Sequence, residues 1–233
     1  MRPVLRGDPP TDATGKAIVF SHYREARDFL IERIGDYCSY CEVCLHGSIH
    51  VEHVRPKKPN PDLKTVWTNF LLACDNCNSV KGDFDVVLSD YLWPDTDNTT
   101  LAFDYHVDEP PRVSQTLKAA HQQLAINTIQ LTGLDRVPGH PDFSARDRRW
   151  QKRKEAWGVA ILARKALAEN PTDQLRESIV HNAVSRGFWS VWVAVFHDDN
   201  EMRRRLLKWF PGTAISECFD AGGVPKPRPG GQI

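Results

Sequence analysis

The chain has 233 residues, enough for a large hydrophobic core in one or two domains without disulfides. Hydrophobic residues make up 41% and charged residues 26%, which excludes wholesale disorder. No apolar run approaches the roughly 18–20 residues of a membrane span, and residues 1–14 lack the apolar stretch of an export signal. We therefore expect a cytoplasmic protein without a membrane partner. Because 30 basic and 30 acidic residues cancel, any nucleic-acid contact must be local.

Composition and hydrophobic periodicity divide the chain into five segments. We expect an N-terminal extension with one helix over residues 21–34, a loop-rich segment with five of the six cysteines, a connector with a possible hairpin, a helical region and a disordered tail. Their bounds are 1–36, 37–85, 86–112, 113–219 and 220–233. Within the helical region, spacings of three and four predict helices over about 113–133, 144–169, 172–185 and 201–209. Residues 1–14 are expected to fray.

The cysteines occur at the spacing of metal ligands. Cys74 and Cys77 form one pair, and Cys38, Cys41 and Cys44 offer two overlapping pairs upstream. Four thiolates from two such knuckles make a closed tetrahedral zinc site, whose metal would hold together a segment poor in aliphatic residues. The alternative is that these are buried free thiols. The spacing alone does not decide which upstream pair would bind zinc.

Between the two knuckles lies a segment with the side chains of phosphodiester hydrolysis. Glu52 and His53 are adjacent, and Arg55, Lys57 and Lys58 follow. A carboxylate can bind a metal ion, an imidazole can deprotonate water, and cations can hold phosphate. Neighbouring residues of an ideal strand point to opposite faces, so Glu52 and His53 share a site only if the strand ends or bulges there.

The segment 37–85 resembles the HNH nuclease family. The resemblance is carried by Glu52-His53-x-x-Pro56, by Asn69 before an apolar strand and by Asn78-x-x-Lys81-Gly82, interlaced with the cysteine pairs. It implies an α+β fold: a zinc-stabilised ββα-metal HNH core followed by a mainly α-helical C-terminal region. It also implies an endonuclease that cleaves DNA and leaves 5′ phosphates.

The resemblance assigns a role to each matching residue. His53 matches the general base, and Glu52 and Asn78 match ligands of a divalent cation, for which oxygen donors favour Mg²⁺ or Mn²⁺. Asn69 matches the residue that ties down the loop between the strands. Lys81 or Arg55 could bind the scissile phosphate, although a lysine at a helix end is often only a solvated cation.

The motif Cys38-Ser39-Tyr40-Cys41-Glu42 is most similar to the corresponding motif of HNH proteins encoded beside an SMC-like ATPase in Septu-type anti-phage systems. That resemblance favours Cys38 and Cys41 over Cys44 as zinc ligands and implies an ATPase partner. A binding module that has lost catalysis and a nuclease directed at RNA are the alternatives. A basic stretch over residues 146–165 could follow a phosphate backbone or form a solvated helix face.

Overall fold

Eight α-helices and four short β-strands form the regular structure of the computed structural model, which describes residues 1–233. The helices are α1 (Arg27–Ile34), α2 (Asp75–Lys81), α3 (Ala119–Thr132), α4 (Arg149–Glu169), α5 (Asp173–Arg186), α6 (Trp189–Val195), α7 (Asn200–Trp209) and α8 (Ile215–Cys218). The strands are β1 (His50–His53), β2 (Phe70–Ala73), β3 (Phe103–Asp104) and β4 (Arg112–Val113). None of the helices has the length and apolar content needed to cross a bilayer.

A ββα unit occupies the middle of the cysteine-rich segment. β1 and β2 pair antiparallel, with Glu52 opposite Leu71, and α2 follows β2 directly. All four residues of β2 are apolar and buried, so both faces of the strand lie in the core. The Sγ atom of Cys74 caps α2 by accepting a hydrogen bond from the backbone N–H of Cys77 at 3.4 Å. The zinc-knuckle residue therefore also starts the helix.

The helical region is joined to the first cysteine knuckle by specific contacts. The N–H of Phe188 donates to the carbonyl oxygen of Glu42 at 2.8 Å, and the Ser190 hydroxyl donates to the Glu42 carboxylate at 2.7 Å. Gly187 has a φ of 76°, and a Cβ at this position would lie 2.4 Å from the same carbonyl oxygen. Only glycine permits this approach, so the chain reversal before α6 holds the knuckle against the helices.

Helices α4, α5, α6 and α7 pack against one another, and α6 contributes two buried tryptophans. α4 packs against α5 and α6, and α5 packs against α7. Trp189 and Trp192 of α6 are 1% and 0% exposed, so this apolar run belongs to the core. The run is nevertheless a helix that periodicity did not identify, since its apolar residues surround the whole helix.

Both chain ends are ordered, which corrects the expectation of a frayed N-terminus and a disordered tail. Val4 and Ile233 are 1% and 5% exposed, and the N–H of Asn98 donates to the carbonyl oxygen of Ile233 at 3.0 Å. The buried guanidinium of Arg228 donates to the carbonyl oxygens of Val4 and Pro94 and pairs with a carboxylate. Long-range polar contacts thus order a tail whose composition lacks the apolar content to do so.

The helices predicted over 113–133 and 144–169 are present but begin later, at Ala119 and Arg149. The hairpin expected in the connector forms between β3 and β4, and because β4 extends to Val113, α3 begins only at Ala119. α4 begins at Arg149 rather than near 144, and the N–H of Arg149 donates to the Asp147 carboxylate at 3.0 Å.

Candidate active site and metal centre

The four cysteines favoured as zinc ligands meet at one point. The Sγ atoms of Cys38, Cys41, Cys74 and Cys77 all lie within 4.8 Å of one another, and all four residues are buried. A tetrahedral zinc ion with sulfur at about 2.3 Å places neighbouring sulfurs about 3.8 Å apart. The Cys41 and Cys74 sulfurs are 3.7 Å apart, so the cluster has the dimensions of a structural zinc site.

Cys44 lies outside this cluster. It is half-buried, and its Sγ atom is 3.8 Å from Nδ1 of His46 instead of facing the other sulfurs. The geometry therefore agrees with Cys38 and Cys41 as the upstream pair.

A buried arginine donates to the cysteine cluster. Arg149 is 5% exposed, and its Nη1 atom donates to the Sγ atom of Cys77 at 2.9 Å. The same guanidinium donates to Asp147 and to the carbonyl oxygens of Thr132 and Gly133. Burial alone would lower the pKa of Arg149, but Cys77 and Asp147 raise it. Burial raises the pKa of the Cys41 and Cys77 thiols and so disfavours thiolates. The fixed positive charge of Arg149 acts in the opposite direction and favours them.

Sequence reasoning did not find this role for Arg149. It grouped the residue with a basic stretch that could track a phosphate backbone, whereas the structure buries it under α2. The nearby Asp147 could have indicated that Arg149 is buried, because a carboxylate is a suitable partner for a buried guanidinium.

An open cleft of about 660 Å³ brings together the three residues assigned to catalysis. Glu52 and His53 line it from the end of β1, and Asn78 lines it from α2. Glu52 and His53 are both regularly paired in β1, opposite Leu71 and Phe70, and both line the cleft.

The imidazole of His53 is held in one tautomer. Its Nε2 atom lies 2.9 Å from the carbonyl oxygen of Lys64, which can only accept, so Nε2 carries the proton and Nδ1 is the remaining lone pair. The ring packs edge-on against Tyr23 and Phe70, with centroids 4.9 and 5.3 Å away. Burial lowers the pKa of His53 below its ordinary value. A neutral imidazole oriented in this way can accept a proton.

Glu52 is paired with Lys81 inside the fold. The Nζ atom of Lys81 lies 2.8 Å from Oε1 of Glu52 and donates to the carbonyl oxygen of His53 at 2.7 Å. Burial raises the pKa of Glu52, and Lys81 partly opposes that shift. Lys81 is 2% exposed and does not line the cleft, which corrects its expected position at an exposed helix end. It neutralises the carboxylate rather than facing solvent.

Asn69 and Arg55 lie away from the cleft. The Asn69 side chain accepts from the N–H of Arg55 at 2.8 Å and donates to the carbonyl oxygens of Arg55 and Leu63 at 2.9 and 3.2 Å. These are the loop-tying contacts that the resemblance implies. Both residues line a different groove, of about 540 Å³. The expectation that Arg55 faces the scissile phosphate therefore finds no support in its position.

Three other cations line the cleft, and two of them, Arg24 and Arg27, were not among the cations that the sequence suggested for phosphate binding. Arg24 precedes α1, Arg27 begins it, and Lys57 lies in the loop after β1. All three are exposed. The helix over 21–34 was predicted, but only the packing of that helix beside β1 shows which of its charged residues reach the site.

The donors on the cleft suit a hard divalent cation. Glu52 offers a carboxylate, and the Asn78 side chain offers an amide oxygen without a hydrogen-bond partner in the protein. Mg²⁺ and Mn²⁺ accept a few such oxygens and complete their coordination with water and substrate phosphate. The residues present therefore fit a cation of this type.

Comparison with protein families identifies the cysteine-rich segment. Residues 38–84 match the family model described as HNH endonuclease. The match includes both cysteine knuckles, Glu52, His53, Asn69 and Asn78, so this part of the chain is similar to an HNH domain. The helices from α3 onward lie outside the match. A comparison with curated proteins finds no match.

Proposed function

We propose that the protein is a metal-dependent endonuclease that hydrolyses DNA phosphodiester bonds and leaves 5′ phosphates. The observation that supports this most directly is that Glu52, His53 and Asn78, from two elements of an HNH domain, line one open cleft. A zinc-binding module without catalysis would not require a carboxylate, a neutral imidazole and a free amide oxygen at the same cleft.

His53 acts as the general base. The Lys64 carbonyl fixes Nε2–H, so Nδ1 accepts the proton of the attacking water. The lowered pKa keeps the ring unprotonated at neutral pH. Glu52 and Asn78 would hold the divalent cation, which would neutralise the charge that develops on the phosphate and on the leaving oxygen. Lys81 keeps the Glu52 carboxylate ionised despite its burial.

Phosphate is held by Arg24, Arg27 and Lys57. All three line the cleft and are exposed, unlike Lys81 and Arg55. A chain with no net charge needs such a local cluster to bind a polyanion. Each phosphate that the cluster neutralises adds about 0.9 to the slope of log affinity against log salt concentration. Lys57→Ala should therefore lower both DNA affinity and its salt dependence, whereas Lys208→Ala, at an exposed lysine of α7, should leave both unchanged.

Plasmid nicking tests the proposal. We expect zinc-loaded protein to nick supercoiled DNA with Mg²⁺ or Mn²⁺ and not without added divalent cation. His53→Ala should abolish nicking while DNA binding persists, and His106→Ala, an exposed histidine without a role in the cleft, should nick normally. Nicking by a folded His53→Ala variant would refute the assignment of the base. A parallel RNA substrate tests the RNA-directed alternative, since the cleft recognises a phosphodiester and offers no evident contact for a 2′-hydroxyl.

We further propose a role in bacterial anti-phage defence with an SMC-like or ABC-like ATPase partner. The support is the likeness of the first knuckle, from Cys38 to Glu42, to nucleases of Septu-type systems. Co-purification with an ATPase encoded beside the gene, and phage plating with wild-type protein and His53→Ala, test it. Failure of both would leave the nuclease proposal intact and remove this one.

A further inference from the structure

The outer face of α4 lies opposite the face that is buried against α5 and α6. Six residues recur along this outer face at alternating spacings of four and three, which is the heptad spacing of helices that pack lengthwise on another helix. Five of the six are exposed and the first is half-buried. These residues form the α4 seam: Gln151, Glu155, Gly158, Leu162, Lys165 and Glu169.

The middle of the α4 seam has a protruding leucine beside a residue without a side chain. Leu162 is 68% exposed, and Gly158 lies one helical turn before it. Beyond its own helical turns, no protein atom would lie within 4 Å of a Cβ at Gly158, so no contact within this chain requires glycine there. Glycine also weakens a helix interior relative to alanine. Leu162 and Gly158 together offer a knob and a hole on the same exposed face.

The central charges of the seam have no counterion within the protein. Glu155 accepts a hydrogen bond from the neutral Gln151 at 3.1 Å, and Lys165 takes part in no salt bridge. The neighbouring cation Lys154 is different, because it is paired with Asp108 at 2.6 Å. The seam therefore presents one carboxylate and one ammonium on either side of the Gly158 and Leu162 pair, both free to meet an opposite charge.

An antiparallel second copy of α4 matches the seam to itself. A two-fold axis at the level of residue 160 places residues that lie equally far before and after it opposite one another. Leu162 then faces the partner's Gly158, and Glu155 faces the partner's Lys165. Each of these contacts occurs twice, because the same patch is used by both copies. The seam is therefore complementary to itself in both shape and charge.

We propose that the protein forms a two-fold symmetric dimer by antiparallel packing of two α4 seams. The ends of the seam fit the same arrangement, since Glu169 faces the partner's Gln151, with the exposed cations Arg148 and Lys152 in the neighbouring turns. DNA suits this face less well than a second copy does, because the carboxylates of Glu155 and Glu169 lie along it and repel a polyanion.

Sedimentation equilibrium of the zinc-loaded protein, without DNA, tests the α4 seam. A single helix pair is a small interface, so we expect a reversible dimer between micromolar and near-millimolar protein. Leu162→Gln should weaken it about tenfold or more, whereas Ile126→Gln, at an exposed apolar residue of α3, should dimerise normally.

Filling the hole separates dimerisation from folding. Gly158→Gln should also weaken the dimer about tenfold or more, because the new side chain obstructs the partner's Leu162. In dilute solution the same variant should melt at a higher temperature than the unmodified protein, since glutamine favours a helix over glycine and the space beside Gly158 is open. A variant that is more stable and yet less dimeric cannot be explained by misfolding.

Exchange of the seam charges is the sharper test. Glu155→Lys places like charges opposite each other across the two-fold axis, and so does Lys165→Glu, so each variant alone should be monomeric. An equimolar mixture of the two variants should dimerise as the unmodified protein does, because opposite charges then face each other at both contacts. The variant with both substitutions should dimerise as well. Partial unfolding of either variant would not be repaired by mixing.

Three results would overturn the proposal: a monomer at every concentration, a dimer that Gly158→Gln and Leu162→Gln leave unchanged, or a mixture of the two charge variants that stays monomeric. The first would leave the seam to solvent or to another protein, and the second would assign the dimer to a different surface. The measurement contains no DNA and records no cleavage. It therefore succeeds or fails independently of plasmid nicking.

Discussion

Lys81→Met removes the one cation within ion-pair distance of the buried Glu52 carboxylate. In the wild-type fold the Lys81 ammonium is 2.8 Å from Glu52 and 2.7 Å from the His53 carbonyl oxygen, and the two charged side chains are 1% and 5% exposed. Methionine fills a similar volume but leaves the carboxylate unpaired. We expect a large loss of stability because an isolated buried charge is not compensated by solvent.

The expected loss is about 3–5 kcal/mol, the range for breaking a buried pair by removing one partner. For a chain of this length each kcal/mol lowers the melting temperature by about 2–4 °C, so the melting temperature should fall by about 6–20 °C. Lys57→Met is the control, because Lys57 is exposed and surface changes usually stay within about 0.5 kcal/mol. Differential scanning calorimetry of the zinc-loaded proteins measures both variants.

The stability of the Lys81→Met variant should also depend on pH. Burial raises the folded-state pKa of Glu52, so without Lys81 the folded protein binds a proton that the unfolded chain releases. The Lys81→Met variant should therefore lose stability as the pH rises above the ordinary glutamate pKa, and its deficit relative to wild type should shrink toward pH 5. Glu52→Gln combined with Lys81→Met should recover part of the loss. A melting temperature within 2 °C of wild type at pH 7 would refute the reasoning.

Three further predictions concern the zinc site, the loop and the base. Cys74→Ser should lose zinc and unfold the HNH domain, whereas Cys44→Ser should keep zinc by metal analysis and its circular dichroism spectrum; equal zinc content would contradict the ligand set. Asn69→Ala should lower stability in urea by about 1–3 kcal/mol and slow nicking, because it frees buried groups of the loop. Nicking rate should rise with pH through a pKa below the ordinary histidine value, because burial lowers the pKa of His53 and the base acts unprotonated; an acidic limb centred above that value would contradict this.

The metal ligands and the order of the HNH elements could be predicted from the sequence because the information is local. Two pairs of cysteines at knuckle spacing restrict how the chain can fold, and the favoured set, Cys38, Cys41, Cys74 and Cys77, meets within 4.8 Å. The role of Asn69 could also be predicted, because its side chain contacts a residue only 14 positions away in the sequence.

The positions of the charged residues could not be predicted, because they depend on packing between distant segments. Lys81 has the sequence context of an exposed helix end, yet the end of β1 covers it and supplies Glu52 as its partner. Arg24 and Arg27 are ordinary surface residues of a short helix until α1 is packed beside the ββα unit, where they line the cleft. Arg149 reaches the Cys77 sulfur across 72 residues of sequence.

Binding of Mn²⁺ to zinc-loaded protein, followed by electron paramagnetic resonance, tests most directly whether one cation is held by residues 52 and 78 beside the general base. We expect one Mn²⁺ site that Glu52→Gln and Asn78→Ala each weaken at least tenfold. His53→Ala should retain the site, because the imidazole takes a proton from water and does not hold the cation. Unchanged Mn²⁺ affinity in both ligand variants, with the proteins folded, would contradict the proposed convergence of these residues.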